Sequence, residues 1–354
     1  MLVFKKAIFA GLFALSSSFP ISAEKLHVYF LGNSLTGSLT PDRVHQLFQQ
    51  REVDFQFGIQ LSGGKSLIRH LNYKKEPNQN WVCWETSIPK GNTFVPNDPY
   101  LKGQTYRFGF YESGLTKFKW DAVVFQPYGS NLHDDLIAIK AFTDMTLKAG
   151  QCQQFYLYST WPKRQKVKNG EGAFHVNNLD YAAAWEAKYT ASSEDTDKQS
   201  MNNISSRDYF EKLIQLLNAH YKDQIPAFRI IPAGEVLWTL DQKIKKGELP
   251  GLQKLIDAKS KLLAGLDADT SAKDGVNLLY ADPIHLNPIP HKESTLGIFV
   301  SGSTVYSSLH GKSPEGLSAS IYSLDDRSDA ELIKAIQTTI WDVVSHHPHS
   351  GIKK

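Results

Sequence analysis

The sequence has little cysteine and no excess of one charge. Only two cysteines, Cys83 and Cys152, occur in 354 residues, too few for a disulfide framework, and no Cys/His cluster has zinc spacing. Whether the two pair or stay as buried thiols is left open. The 39 Lys and Arg residues nearly balance the 36 Asp and Glu residues. This balance argues against a nucleic-acid partner, which requires clustered cations.

Long apolar runs are missing except at the N-terminus. Lys5 and Lys6 precede an apolar run at 7–15, and a small, polar stretch follows and ends at Ala23. The run is too short to span a bilayer, so residues 1–23 are predicted to be a secretory signal peptide cleaved after Ala23. No later segment has the ~18 uninterrupted apolar residues of a membrane helix. We therefore expect a secreted or periplasmic protein without an integral membrane segment after cleavage.

The rest of the chain alternates short apolar runs with amphipathic stretches. Five runs are predicted as strands, at 26–31, 53–60, 122–126, 155–159 and 228–231. The main helices are predicted at 41–51, from 66, and at 134–149, 206–221, 233–246, 252–264, 291–309 and 328–345. Thr40 is the expected N-cap of the first helix, Gly150 ends another, and the His-rich tail at 346–350 is expected to fray. This alternation predicts an α/β fold with a parallel sheet.

Two long stretches interrupt the alternation. Residues 73–118 contain Trp81 and Trp84, and residues 160–203 contain Trp161. Loops of this length are uncommon without a function. The expected organisation is therefore one domain over 24–354, with insertions at about 73–118 and 160–203 that lie over one end of the sheet.

Two familiar glycine motifs are incomplete. The run from Gly58 to Ser66 contains Gly64-Lys65-Ser66, but the first glycine of a phosphate-binding loop stands one residue too early. Gly32-Asn33-Ser34 begins a nucleophile elbow, but Thr36 occupies the position of its second glycine. Nucleotide binding and the α/β-hydrolase fold are therefore both disfavoured, although Gly63 and Gly64 still predict a tight turn after the second strand.

A serine, a histidine and an aspartate remain as candidates for catalysis. Ser34 directly follows the first strand, which places its hydroxyl at the carboxyl edge of the sheet, where open α/β folds bind ligands. Asp282 precedes His285 by three residues, so its carboxylate could hold one imidazole nitrogen while the other faces outward. A serine hydroxyl needs such an oriented base to become a nucleophile.

These segments, in this order, resemble the SGNH (GDSL-like) hydrolase superfamily. The matching segments are Phe30–Thr36, with Asn33 where many members have Asp; Ser62-Gly63; Gly129-Ser130-Asn131, which departs from the pattern at Leu132; and Asp282-x-x-His285 followed by Leu286. The resemblance implies a flavodoxin-like three-layer sandwich around a central parallel sheet. It also implies that Ser34 is the nucleophile, His285 the general base and Asp282 its orienting partner.

The resemblance further implies an oxyanion hole and no cofactor. Its donors would be the backbone N–H groups of Ser34 and Gly63 and the side-chain amide of Asn131. Gln126, at the end of the third strand, is a rival amide donor. No metal site is predicted.

The aromatic insertions point to a carbohydrate substrate. Trp161, Trp81, Trp84 and Tyr128 could stack on the apolar faces of sugar rings, although buried aromatic residues also pack cores. We expect an esterase that removes acyl groups, above all acetyl groups, from a carbohydrate. The alternatives are a broad lipolytic or aryl esterase, and a catalytically silent polysaccharide-binding protein of the same fold. Oligomeric state is left open.

Overall fold

The computed structural model describes residues 24–75, 81–86, 95–96, 108–129, 131–162, 167–168, 174–175, 189–192, 205–253, 279, 284–286 and 296–352. The predicted signal peptide at 1–23, Asp282 and most of the predicted helix at 252–264 lie outside these residues. No helix in the described ranges is long and apolar enough to cross a membrane.

A seven-stranded sheet forms the centre of the molecule. Its strands are β1 (Lys25–Gly32), β2 (Asp54–Ser62), β3 (Trp81–Glu85), β4 (Val95–Pro96), β5 (Ala122–Phe125), β6 (Phe155–Tyr158) and β9 (Arg229–Ile231). The strands β7 (Val167–Lys168) and β8 (Phe174–His175) form a separate hairpin. The spatial order is β4-β3-β2-β1-β5-β6-β9. The five neighbouring strands β2-β1-β5-β6-β9 are parallel to one another. Their order is that of flavodoxin-like folds.

The helices cover both faces of this sheet. They are α1 (Ser34–Gly37), α2 (Pro41–Gln49), α3 (Leu67–Leu71), α4 (Tyr111–Lys117), α5 (Leu132–Lys148), α6 (Arg207–His220), α7 (Ala233–Lys245), α8 (Leu296–His310) and α9 (Ala330–His346). The central strands are buried on both faces, and alternate residues enter two different cores. Val28 and Phe30 join α2, α7, α8 and α9 in one core cluster, whereas Tyr29 and Leu31 join α3, α4, α5 and α6 in the other. The predicted α/β three-layer sandwich is confirmed.

Part of the first interrupting stretch extends the sheet. β3 pairs antiparallel with β2, so that Trp81 lies opposite Ser62, and β4 pairs with β3. Antiparallel strands need no crossover helix, which is why the alternation of strands and helices gave no sign of them.

Thr40 is the N-cap residue of α2, as expected, but its backbone is left-handed and its hydroxyl donates to the Leu39 carbonyl, so its side chain makes no capping hydrogen bond. One other local expectation is corrected. The C-terminal tail does not fray, since the Ile230 N–H donates to the His349 carbonyl at 2.8 Å and Ser350 is buried. Gly150 does follow the end of α5 with a positive φ of 65°, as predicted.

Candidate active site

Ser34 lies in a tight turn at the carboxyl end of β1. It begins the short helix α1, which precedes the predicted helix α2, and it is partly exposed. Asn33 caps this helix, because its Oδ1 accepts the Leu35 N–H at 3.0 Å. The backbone N–H of Ser34 belongs to the first helical turn, where no intrahelical acceptor exists. The hydroxyl and this N–H therefore stand together at the carboxyl edge of the sheet, the edge at which open α/β folds bind ligands.

The turn that follows β2 is tied to the Ser34 turn. The Nδ2 of Asn33 donates to the Lys65 carbonyl at 3.3 Å, and the Lys65 N–H donates to the Ser62 carbonyl at 3.2 Å. Gly63 is exposed within this second turn, and nothing lies within 4 Å of the position of a Cβ there. Gly64 has a φ of 65°, which favours glycine. The structure thus brings together the turns of Ser34 and Gly63.

Gln126 supports the Ser34 turn from the other side. Its side chain is buried, and its Oε1 accepts the Asn33 N–H at 2.9 Å and the Thr36 hydroxyl at 3.2 Å. Its Nε2 donates to the Pro127 carbonyl at 2.9 Å. A Cβ at Gly32 would lie 2.1 Å from Thr36 Oγ1 and 2.8 Å from Gln126 Cβ, so this packing requires a glycine. Gln126, the rival oxyanion donor predicted from the sequence, is therefore engaged in holding the Ser34 turn.

A buried histidine beneath the same turns was missed from the sequence. His70 accepts a hydrogen bond from Gln60 Nε2 on its Nδ1 at 3.1 Å, and Gln60 Oε1 accepts the Tyr111 N–H at 2.8 Å. Burial lowers the pKa of His70 to about 3, an effect that hydrogen bonding to the Gly32 backbone opposes. His70 is therefore neutral at physiological pH. Its partners are distant in sequence, so no local motif could have indicated this network.

Asn131 is exposed and caps the helix α5. Its Oδ1 accepts the Asp134 N–H, and its Nδ2 donates to Asp134 Oδ2, both at 3.0 Å. One of the two amide hydrogens of Asn131 is therefore engaged in this cap. Asn131 stands one turn before Asp135, the residue that fixes the preceding loop.

The loop before Asn131 is organised by a buried carboxylate. Asp135 accepts the N–H groups of Tyr128 at 3.2 Å and Gly129 at 3.1 Å, and the hydroxyl of Tyr209 at 2.6 Å. Burial raises the pKa of Asp135 from 3.8 to about 6, although these three hydrogen bonds favour the charged form. Asp135 thus sets the path of the chain between β5 and α5.

His285 belongs to the described segment 284–286, which is hydrogen-bonded to the chain that follows β6. The indole Nε1 of Trp161, three residues beyond β6, donates to the Ile284 carbonyl at 2.7 Å. Trp161, Leu286 and Leu35 are buried in the same core cluster. The His285 segment therefore contacts a residue that follows β6 at the carboxyl edge of the sheet, on the face whose core also contains Leu35. β6 lies two strands from β1, which corresponds to about 10 Å between strand ends.

The predicted sugar platform needs correction for its three tryptophans. Trp161 is 0% exposed, Trp81 is 1% exposed and Trp84 is 4% exposed. Trp81 meets His70 edge-on at 4.9 Å between ring centroids, and Trp84 meets Phe57 in the same way at 5.9 Å. These rings pack the core and offer no free face for a sugar to stack on. Of the four predicted aromatic residues, only Tyr128 is partly exposed.

Both cysteines are buried free thiols, which decides between the two alternatives that the sequence left open. They contribute to different regions, since Cys83 lies on β3 and Cys152 precedes β6. Across the described ranges, no group of three or more His, Cys, Asp or Glu side chains is arranged to hold a metal ion.

The strand order and the two glycine-containing turns define a flavodoxin-like α/β protein with a candidate site at its carboxyl edge. The sequence matches no protein-family profile and no curated protein. It is similar in structure to a DUF4886 family protein from Bacteroides uniformis, with a TM-score of 0.53 and 16% identity over 91% of this chain and 96% of that chain. A "putative SGNH hydrolase" from Slackia heliotrinireducens gives a TM-score of 0.39 and 14% identity over 80% of this chain and 98% of that chain. The first similarity extends over nearly the whole of both chains and shows the fold.

Proposed function

We propose that this protein is a serine esterase of the SGNH type, exported by its N-terminal segment. The observation that carries the proposal is the pair of linked turns, in which Asn33 joins the Ser34 turn to the Gly63 turn. A nucleophilic hydroxyl and two backbone N–H donors from separate turns are what acyl transfer requires at one point. Gln126 accepts the Asn33 N–H, and Gln60 holds His70, which hydrogen-bonds to the Gly32 backbone. These contacts keep the arrangement preorganised.

The proposed reaction begins when Ser34 Oγ attacks the acyl carbonyl carbon and His285 accepts the hydroxyl proton. The N–H groups of Ser34 and Gly63, with the Asn131 amide, stabilise the resulting oxyanion. Each donor of this kind is worth ~10²–10³ in kcat. The tetrahedral intermediate expels the alcohol, which takes the proton from His285. Asp282, outside the described residues, would hold the imidazole in the required tautomer.

Water completes the cycle. His285 removes a proton from the water as it attacks the acyl-enzyme, and a second tetrahedral intermediate forms in the same oxyanion hole. Its collapse breaks the bond to Ser34 Oγ, which recovers its proton from His285, and releases the carboxylic acid. No cofactor is required by this sequence of steps.

For the substrate, we propose a short acyl ester, above all an acetyl ester, on a carbohydrate. An exported enzyme meets substrates outside the cytoplasm, and the nearly balanced charge of this chain suits an uncharged glycan better than a polyanion. Tyr128 is partly exposed, and Asp135 fixes its backbone beside the third oxyanion donor, where its ring could contact a sugar. The burial of Trp81, Trp84 and Trp161 favours a second candidate, a small-ester or aryl esterase without a stacking platform.

The test is a substrate panel with a matched inactive variant. Acetate release from acetylated glycans is measured beside hydrolysis of p-nitrophenyl esters of increasing chain length, for the wild type and Ser34→Ala. We expect turnover of acetyl esters that is lost in the variant, and higher kcat/KM for the glycan than for the aryl ester. Preference for aryl esters would support the second candidate. Glycan binding without any turnover would refute the esterase proposal in favour of a silent binding protein.

A further inference from the structure

Trp161 is fixed by the sheet and contacts the backbone next to His285. Its indole is completely buried and meets Tyr158 of β6 edge-on, with ring centroids 6.2 Å apart. The Nε1–H donates to the Ile284 carbonyl at 2.7 Å. That carbonyl belongs to the peptide group that joins Ile284 to His285. A buried indole N–H that has no acceptor destabilises the folded state, so the protein is more stable when this hydrogen bond is formed.

The other side of the same segment packs on helix α8. A Cβ at Gly297 would lie 2.0 Å from the Leu279 carbonyl oxygen and 3.1 Å from Leu286 Cβ, so only glycine allows the chain to approach so closely. Leu286 is itself 1% exposed. The segment 284–286 is therefore held between the indole that follows β6 and the backbone of α8.

We infer that Trp161 is a positioning residue for the general base: its N–H fixes the Ile284 carbonyl and thereby the direction of the His285 imidazole toward Ser34. This inference rests on the proposed function. It replaces the sugar-stacking role predicted for Trp161, which burial excludes. The indole touches neither the substrate nor the reacting atoms, so its effect must pass through His285.

Trp161→Phe is the first test, because it keeps an aromatic ring and removes the donor. Trp120→Phe is its matched control. Trp120 is also buried, and its Nε1 donates to the Gly114 carbonyl at the same 2.7 Å, but it lies before β5 at the opposite edge of the sheet. Replacement of Trp161 by 3-benzothienylalanine, which keeps the bicyclic shape and lacks the N–H, provides a second variant if the phenylalanine variant does not fold.

We expect both Trp161 variants to lower kcat for p-nitrophenyl acetate ~10–100-fold, since a displacement of about 1 Å can have this effect. KM should change little, the histidine limb of the pH profile should shift, and Trp120→Phe should retain the wild-type kcat and pH profile. In a His285→Ala background, Trp161→Phe should cause no further loss, because both changes act through one group.

Equal decreases of kcat in Trp161→Phe and Trp120→Phe would overturn the inference. It would also be overturned if Trp161→Phe lowered kcat by the same factor in the wild type and in the His285→Ala background. Wild-type kcat in the benzothienylalanine variant would also overturn it. Failure of the proposed function is distinguishable from all of these, because the wild type would then show no turnover, or Ser34→Ala and His285→Ala would retain the wild-type rate.

Discussion

Replacing Gln126 with leucine tests how the Ser34 turn is held. The change keeps a buried side chain of similar size and removes the acceptor of the Asn33 N–H and the donor to the Pro127 carbonyl. Each buried polar group left without a partner costs ~1–3 kcal/mol. The Thr36 hydroxyl can rotate toward other acceptors, so two orphaned groups give an expected loss of about 2–6 kcal/mol in the free energy of unfolding. The released turn should also lower kcat about 10–100-fold.

Gln337→Leu is the matched control. Gln337 is equally buried, its Nε2 donates to the Leu317 carbonyl at 2.8 Å, and its Oε1 accepts the Gly316 N–H at 3.3 Å. Gln337 lies on α9 and supports the chain at Gly316 and Leu317. The neighbouring Glu315 carbonyl accepts a hydrogen bond from Arg51, which precedes β2 at the amino edge of the sheet, away from the candidate site. Both variants should lose similar stability in urea unfolding monitored by circular dichroism, but only Gln126→Leu should lose kcat for p-nitrophenyl acetate.

Gln126→Glu separates support of the turn from donation to the oxyanion. A buried, protonated glutamic acid can accept from Asn33 and donate to Pro127 as the amide does, so it should recover most of the activity lost in the leucine variant. An unchanged kcat in Gln126→Leu despite lost stability would show that catalysis does not depend on the support that Gln126 gives to the Ser34 turn. Persistent inactivity of Gln126→Glu, with normal stability, would instead make Gln126 the oxyanion donor.

Two further predictions concern the loop between β5 and α5. Because burial raises the pKa of Asp135 from 3.8 to about 6, the stability it contributes is complete below about pH 4 and is lost as pH rises through 6. The difference in unfolding free energy between wild type and Asp135→Asn should therefore fall by up to ~3 kcal/mol from pH 4 to pH 7, and a constant or rising difference would contradict this. Asn131→Ser keeps an N-cap oxygen and removes the amide donor, so urea unfolding should change little while kcat falls ~10²–10³-fold. Wild-type kcat in this variant would remove Asn131 from the oxyanion hole.

The core of the fold could be predicted because the central strands carry a direct signal. Residues 122–125 and 155–158 are continuous apolar runs, which is what burial on both faces of a parallel sheet requires. β3 gave no comparable signal. It acquires its place only by pairing with β2, and the surrounding prolines and glycines indicated loops. The tail at 346–350 is held by a backbone hydrogen bond to β9, which no side-chain pattern encodes.

The candidate site could be predicted only in part. The adjacency of the Ser34 and Gly63 turns could be predicted because parallel strands end at one edge, so residues that follow them meet there. Burial could not be read from residue type, since a tryptophan that packs a core and one that binds a sugar look alike in sequence. The supports of the site were missed for a related reason. Gln60 and Tyr111 are 51 residues apart, and Trp161 and Ile284 are 123 apart.

Covalent labelling of Ser34 tests the proposed esterase mechanism most directly. The wild type is incubated with a fluorophosphonate, digested and mapped by mass spectrometry, with Ser34→Ala and His285→Ala treated in parallel. We expect stoichiometric labelling of Ser34 together with loss of esterase activity, no label in Ser34→Ala, and much slower labelling in His285→Ala. Labelling of a different serine, or full esterase activity in Ser34→Ala, would contradict this mechanism.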